Sequence, residues 1–386
     1  MEPTQIQSDM EYLAGELPHR GANTDGERAA AGYILHRFRK YTLNASLDEF
    51  HSIESYYYLF ASYYAEFAIV SILAFWSALG AFCYGAVVFV AYLAEFMGYH
   101  AFSRLMPHFE TQNVTARFLA QRPKRLVVVS AHYDSPRDAL FTNPQFLPRL
   151  RAAHMAVVAC MAVVLITCAA EAALGLAEGY PPLLLAVRWT AVGALLSAAF
   201  ILFHSAVHCD YVRGASGNAS GVAALIELAK RTAETPLEET DLCLLATGSK
   251  ETWMNGMHHF ITSHVPDRES TYFINIEHVG AGQLHYLTGE GMLQVMPSAP
   301  ELVSAAEAVA GDHGATPACL RAVPTDALVP LARGYRTLTL IALDEDGLPQ
   351  DWHWYTDKLT HVDYGVVHRA ADFAEAILRR LESDGP

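Results

Sequence analysis

The hydrophobic and polar positions fall into two regimes along the chain. In one, apolar runs are too long and too uniform for a soluble core. From Phe67 to Ala94, 28 consecutive residues carry no charge, and extending back to Tyr56 adds only Glu66. About 20 apolar residues cross a bilayer, so 56–98 is too long for one straight crossing and fits two. Gly80 and Gly85 are possible break points, and Glu66 falls inside the first span, where an ionisable group is costly and points to function or a partner. A second stretch runs uncharged from Met155 to Ala170. It turns at Glu178-Gly179-Tyr180-Pro181-Pro182 and is apolar again from Leu183 to Val207 except for Arg188. Two transmembrane helical hairpins are therefore expected, 56–98 and 153–207.

The second regime is that of an α/β domain. Leu126-Val127-Val128-Val129, Leu242 to Ala246, Tyr272 to Ile276 and Leu338 to Leu343 are short apolar runs of the kind that form strands buried on both faces. Arg28 to Lys40, Asn218 to Lys230 and Gly365 to Leu381 have helical spacing. Strands alternating with helices predict a mostly parallel sheet with helices on both faces. The domain is expected to be discontinuous, built from 1–55, 99–152 and 208–386, about 290 residues interrupted by the hairpins. Each insert must return the chain to the same side, which favours an even number of crossings. Arg37, Arg39, Lys40, Arg104, Arg149, Arg151 and Arg213 flank the hairpins on the domain side. The positive-inside rule then places the globular domain on the cytoplasmic side of an integral membrane protein.

Composition agrees with that division. Hydrophobic residues make up 52% and charged residues 17%, below the roughly 25% of soluble chains. The net charge is -15 with no basic stripe, which excludes a nucleic-acid binder. Six cysteines without a Cys-x-x-Cys pair do not suggest a disulfide framework. The polar, acidic start lacks the basic and apolar regions of a signal peptide.

In open α/β sheets, sites form at the carboxyl ends of strands. Four polar clusters follow strands here: Ser130-Ala131-His132-Tyr133-Asp134, Thr247-Gly248-Ser249-Lys250-Glu251, Asn275-Ile276-Glu277-His278 and Trp352-His353-Trp354-Tyr355-Thr356-Asp357. His132 and Asp134 share one face of an extended segment, an imidazole with a carboxylate placed to orient it. His132, Glu251, Glu277 and His353 make a nitrogen–oxygen set suited to zinc. His258, His259, His264, His278 and His285 are expected on the surface or in loops, with His278 able to line the cleft beside Glu277.

These clusters resemble the motifs of the co-catalytic zinc aminopeptidases, a family that includes secreted bacterial leucine aminopeptidases and shares its fold with glutaminyl cyclases. The opening Leu17-Pro18-His19-Arg20-Gly21 with the helix from Glu27 to Ile34, Ser130 to Ser135, Gly214 to Val222, Gly248 to Gly256, Phe273 to Glu277, Thr325-Asp326 and His353 to Asp357 match in order. The resemblance covers nearly all of the chain outside the hydrophobic inserts. It implies metal ligation by His132, Glu251, Glu277 and His353, with Asp134 behind His132. At three positions the sequence departs from the pattern. The bridging aspartate falls at Gly217, the general-base glutamate at Lys250, and the third-strand aspartate at Glu277.

Charge counting sharpens these departures. Asp134, Glu251 and Glu277 with Lys250 sum to -2, which one zinc neutralises and two would overshoot in a poorly hydrated cleft. One zinc at most is expected. If none binds, the Lys250 ammonium takes the place of the missing cation by pairing with Glu251 or Glu277. A neutral Lys250 acting as base is a further option, since a nearby cation depresses a lysine pKa. Three functions stay open: a membrane-embedded one-zinc metallopeptidase, a catalytically silent pseudopeptidase that binds a peptide, lipid or membrane-protein partner, and a glutaminyl-cyclase-like acyl transferase. The third is hardest to reconcile with Gly217, where an acidic ligand is needed.

Overall fold

The structure, a computed structural model, describes residues 4–174 and 181–383. They fall into two compact units, one within Met1–Glu54, His108–Pro148 and Asp210–Pro386, the other within Ser55–Pro107 and Arg149–Cys209. In chain order the helices are α1 (Gln5–Met10), α2 (Asp25–Phe38), α3 (Tyr56–Leu73), α4 (Ala78–Phe96), α5 (Leu150–Leu174), α6 (Pro182–His208), α7 (Ser220–Glu234), α8 (Asn255–His264), α9 (Pro300–His313), α10 (Leu328–Ala332) and α11 (Tyr364–Ser383). The strands are β1 (Ala45–Ile53), β2 (His108–Phe118), β3 (Arg125–His132), β4 (Thr240–Thr247), β5 (Thr271–Glu277), β6 (Gln283–Glu290), β7 (Met296–Pro297), β8 (Thr316–Leu320) and β9 (Arg336–Leu343).

All nine strands belong to one sheet in the first unit, in the order β1-β2-β4-β3-β5-β9-β6-β7, with β8 also paired to β6. The four strands expected from apolar runs are β3, β4, β5 and β9. They form the parallel centre, where β4, β3, β5 and β9 pair in that order. Val127, Val128 and Val129 are fully buried, as strands covered on both faces require. The expectation of a mostly parallel sheet is corrected toward a mixed one. β1–β2, β2–β4, β6–β7 and β6–β9 are antiparallel. Their sequences mix polar with apolar residues: in β2, Thr111, Gln112, Asn113 and Thr115 are buried alongside Val114 and Ala116.

Helices supply the cover. In α7, Val222, Leu225, Ile226 and Ala229 recur at helical spacing and are buried; in α11, Val367, Ala370, Ala371, Ala374, Ile377 and Leu378 do the same. The helix expected from Asn218 begins instead at Ser220. It is entered through a wide turn at Ala215–Ala219, preceded by Gly214 at φ 59°. A side chain at 214 would meet the Asn218 amide, so only glycine fits that left-handed corner.

The second unit contains α3 to α6. Ser55 and Ser77 cap α3 and α4 by accepting the N–H groups of Tyr57 and Gly80. Below α4, Glu95 Oε2 accepts the backbone N–H groups of Ala101, Phe102 and Ser103 and the Tyr63 hydroxyl. Glu66 accepts the Tyr84 hydroxyl at 2.6 Å, so the carboxylate in α3 has its partner on α4. Arg188 on α6 reaches Glu171 on α5 at 2.8 Å, both side chains buried.

Leu79, Val87, Val90, Ile166 and Phe200 are exposed on these helices, as is Trp76 in the turn between α3 and α4. Three helical segments, Ala78–Phe96, Leu147–Leu174 and Pro182–His208, are long and apolar enough to cross a membrane. α3, with five tyrosines and Glu66, is not among them, which sets it apart from the four equivalent spans expected. Of the turn expected at 178–182, residues 178–180 lie outside the described residues.

Candidate functional site

The cleft residues converge at the carboxyl end of the parallel strands. His132 is the last residue of β3 and Glu277 the last of β5. Lys250 and Glu251 follow β4 by a few residues, and His353 lies in the segment after β9. Each is positioned by unusual local backbone. Ser249, Trp253, Met254, His278 and His353 all have positive φ, a conformation costing about 1–3 kcal/mol at a non-glycine residue. The turn at Lys250–Thr252 is held against this strain from two sides. Asp134 accepts the Lys250 N–H (3.1 Å) and the Glu251 N–H (2.8 Å). Glu27, at the start of α2, accepts the N–H groups of Ser249 (2.8 Å) and Asn23 (2.7 Å) and the Thr111 hydroxyl (2.9 Å). Burial, with Asp134 nearby, raises the Glu27 carboxyl to about 8.

The functional side chains form one continuous chain of contacts. Asp134 meets His132 Nδ1 at 3.3 Å, and His132 Nε2 meets Glu277 Oε1 at 3.1 Å. Lys250 Nζ lies 3.5 Å from that same Glu277 oxygen and 2.9 Å from Glu251 Oε1. Glu251 Oε1 then meets His353 Nε2 at 3.1 Å. All six side chains are buried. His353 stacks on Trp352, ring centres 3.7 Å apart.

Electrostatics follow this geometry. Burial opposes ionisation of Glu277, but Lys250 and His132 outweigh it and hold the carboxyl at about 2. Burial likewise opposes Glu251, and His353 and Lys250 hold it well below the usual carboxylate range. Lys250 resists burial because Glu251 and Glu277 stabilise its charge, so its pKa is raised. Lys250 is thus held as a cation in this arrangement. His132 is disfavoured as a cation by burial and Lys250, yet Glu277 and Asp134 raise it to about 10.

The structure therefore brings His132, Asp134, Lys250, Glu251, Glu277 and His353 together. Asp326, of the Thr325-Asp326 motif, joins them: it accepts the Thr247 hydroxyl at 2.5 Å, and burial raises it to about 7. The structure also adds a group that no sequence pattern assigned to the cleft. Glu290, the last residue of β6, accepts the hydroxyls of Thr325 (2.5 Å) and Thr339 (2.6 Å) and is raised to about 7 by burial. Acidic residues inside otherwise apolar stretches were the available signal. His278, the one surface or loop histidine expected to be able to line the cleft, lies in the loop after β5, is buried and contacts the Gln350 carbonyl at 2.6 Å. Its neighbour Glu277 ends a buried strand, which carries the next residue inward. His259 and His264 lie partly exposed beside Asp48.

Gly217 stands at the entry to α7. Asp357 accepts the N–H groups of Ser216 (2.6 Å) and Gly217 (3.0 Å), and a Cβ at 217 would lie 3.1 Å from Asp357 Oδ2 and 3.5 Å from His278 Nδ1. A carboxylate from the far end of the chain thus covers the place where a side chain at 217 would go. Burial raises the Asp357 carboxyl to about 6.

The zinc that the fold implies can be tested against these donors, and they do not fit it. Glu251 Oε1 and Glu277 Oε1, the oxygens that would ligate, share one ammonium. A divalent ion 3 Å from that ammonium would be repelled by about 11 kcal/mol at an effective dielectric of 20. Among the described residues, no group of three or more His, Cys, Asp and Glu side chains is arranged to hold a metal ion.

Fold and cleft together define the class: the chain has the fold shared by zinc aminopeptidases and glutaminyl cyclases. Residues 199–378 match the family model for peptidase family M28. The glutaminyl cyclase of Tannerella forsythia is 14% identical, covering 98% of this chain and 99% of its own, with a TM-score of 0.56. The zinc aminopeptidase of Bacillus subtilis is also 14% identical, with 97% and 93% covered and a TM-score of 0.56. A Zn-dependent exopeptidase of Parabacteroides distasonis is 13% identical, with 96% and 97% covered and a TM-score of 0.55. No curated protein matches the sequence.

Proposed function

We propose that the chain is a membrane-embedded member of the metallopeptidase fold that does not hydrolyse peptide bonds and acts as a binding or scaffold protein. The observation that carries this reading is at Gly217. No carboxylate is available there to bridge two metals, and the Asp357 side chain fills the adjoining space. The residue placed to act as base is Lys250, a cation bound to two carboxylates. General acid–base catalysis contributes about 10²–10⁴-fold, and a hydrolase lacking both that base and the bridge loses its means of activating water. α3 with α4 and α5 with α6 form two hairpins that each return the chain to the same side of the bilayer, a reading supported by the length and apolarity of α4, α5 and α6 and by the pairing of β1 with β2 on either side of the first insert; the globular unit faces the cytoplasm on the strength of the flanking arginines. The partner is a peptide or a membrane protein reached from the bilayer surface.

A one-zinc peptidase is the second reading, favoured by the convergence of His132, Glu251, Glu277 and His353 in one cleft. Detergent-purified full-length protein, equilibrated with zinc and desalted, is assayed against a panel of aminoacyl and N-terminal glutaminyl peptides. No turnover above a His353→Ala control is expected. Turnover that this substitution abolishes establishes the second reading instead. Resistance of the protein to alkaline extraction from membranes, and protection of its C-terminal end from protease in sealed cells, test the topology.

A further inference from the structure

We propose that Lys250 is the resident cation of the cleft: its ammonium does the structural work that a metal ion does in a zinc-binding cleft, which makes the fold independent of zinc. This rests on the reading of the cleft as non-hydrolytic and extends it to how the site is held together.

Three buried carboxylates, Asp134, Glu251 and Glu277, converge from the segments after β3 and β4 and the end of β5. Left without a cation they would repel one another and leave unpaired charge in the interior, which is expensive. Lys250 Nζ touches one oxygen of Glu251 at 2.9 Å and one of Glu277 at 3.5 Å. Those same two oxygens take His353 at 3.1 Å and His132 at 3.1 Å. The ammonium therefore gathers two carboxylates, and through them two imidazoles, from four separate stretches of chain. A metal ion gathers ligands in the same way, with the difference that this cation is covalently part of the chain and cannot be lost to a chelator. A lysine suits the place because its ammonium is a compact point charge with three rotatable donors on a flexible stem. Asp134 fixes the origin of that stem through the Lys250 and Glu251 N–H groups.

The ammonium also blocks the ligands it gathers. Truncating the side chain should leave Glu251, Glu277, His132 and His353 facing a space no longer filled by the ammonium, a combination of donors that suits zinc once His132 gives up its proton. Lys250→Ala is thus expected to convert a metal-independent protein into a zinc-responsive one.

The test uses the full-length protein in detergent, followed by thermal unfolding and elemental analysis, with zinc chloride or EDTA. Wild-type protein should carry no zinc after desalting, and its midpoint should be the same in either condition. Lys250→Ala should unfold several degrees lower in EDTA, recover most of that loss in micromolar zinc, and hold one zinc per chain. Adding His353→Ala to that variant should remove both zinc and recovery. Lys250→Met, which keeps the stem and loses the charge, should be destabilised without responding to zinc. Wild-type protein that retains zinc in a His353-dependent manner would overturn the proposal, as would a Lys250→Ala variant as stable as wild type in EDTA. If Lys250→Ala does not accumulate, the wild-type metal content and EDTA insensitivity decide alone. Peptide hydrolysis is a separate readout: turnover by zinc-free wild-type protein would refute the non-hydrolytic reading and leave the cation assignment standing.

Discussion

Restoring the missing acid at 217 should damage the protein rather than repair it. In Gly217→Asp the new Cβ would sit 3.1 Å from Asp357 Oδ2, tighter than most real contacts, and its carboxylate would lie close to that of Asp357. Two like charges 4 Å apart at an effective dielectric of 20 repel by about 4 kcal/mol. An acid at a helix start returns about 0.3–1 kcal/mol. The net cost is about 3 kcal/mol, or roughly 10 °C in midpoint at some 2–4 °C per kcal/mol. The penalty depends on pH with a fixed sign. Burial already raises Asp357 to about 6, and a second carboxylate raises it further. Protonation relieves the repulsion, so the deficit should be large at pH 8 and small at pH 5. Thermal unfolding of the detergent-solubilised chain at both pH values measures it, with Asp357→Asn as the compensating change. An unchanged midpoint at pH 8, or an equal deficit at both pH values, would refute the account of Gly217 as a position closed by Asp357.

Three more expectations follow from buried groups elsewhere. Glu27→Ala leaves two buried donors, at Thr111 and Ser249, and a part-buried one at Asn23 without their acceptor; at about 1–3 kcal/mol per buried group, a loss of at least 2 kcal/mol is expected by denaturant unfolding, and less than 1 kcal/mol would show that the 248–251 turn is held otherwise. Arg188→Met strands Glu171 and should cost about 3–5 kcal/mol, whereas Arg188→Met with Glu171→Met should recover most of it. A double-mutant cycle on protein yield and midpoint decides, and additive losses would contradict a coupled pair. His132 is raised from 6.5 to about 10 in the folded protein, so its contribution is complete below pH 6.5 and is lost as pH rises toward 10. His132→Gln should flatten the stability profile across that window, and a profile with the wild-type slope would show that another group titrates there.

What could be read from the sequence, and what could not, has a physical basis. β3, β4, β5 and β9 stand out because both faces of each are covered, which turns them into unbroken runs such as Leu126 to Val129. β1 and β2 do not, because they read as Ala-Ser-Leu-Asp-Glu-Phe-His-Ser-Ile and His-Phe-Glu-Thr-Gln-Asn-Val, too polar to mark as strands; in β2 the buried Thr111, Gln112 and Asn113 are polar because they hydrogen-bond across the interior. The cleft residues at strand ends were legible for a similar reason, since His132, Glu251 and Glu277 interrupt or close apolar runs. Pairing across the cleft was legible only as charge arithmetic. That Lys250 meets both Glu251 and Glu277 follows from the left-handed turn at Ser249, which no residue pattern announces in a non-glycine position. Asp357 covering Gly217 was hidden because the two lie 140 residues apart.

Ile53 at the end of β1 stands directly across from His108 at the start of β2, although the whole of α3 and α4 comes between them in the chain. The second excursion behaves alike: Asp138 N–H bonds the Asp210 carbonyl at 2.8 Å, and Arg137 bridges Tyr211 beside it. Departure and return points that adjoin in this way are what a cut-and-close design needs. Replacing 54–107 by a two-residue hairpin turn keeps every β1–β2 partner in place, and joining Pro148 to Asp210 by a short linker in the same chain removes the second helical pair, which together give a route to a water-soluble version of the globular unit.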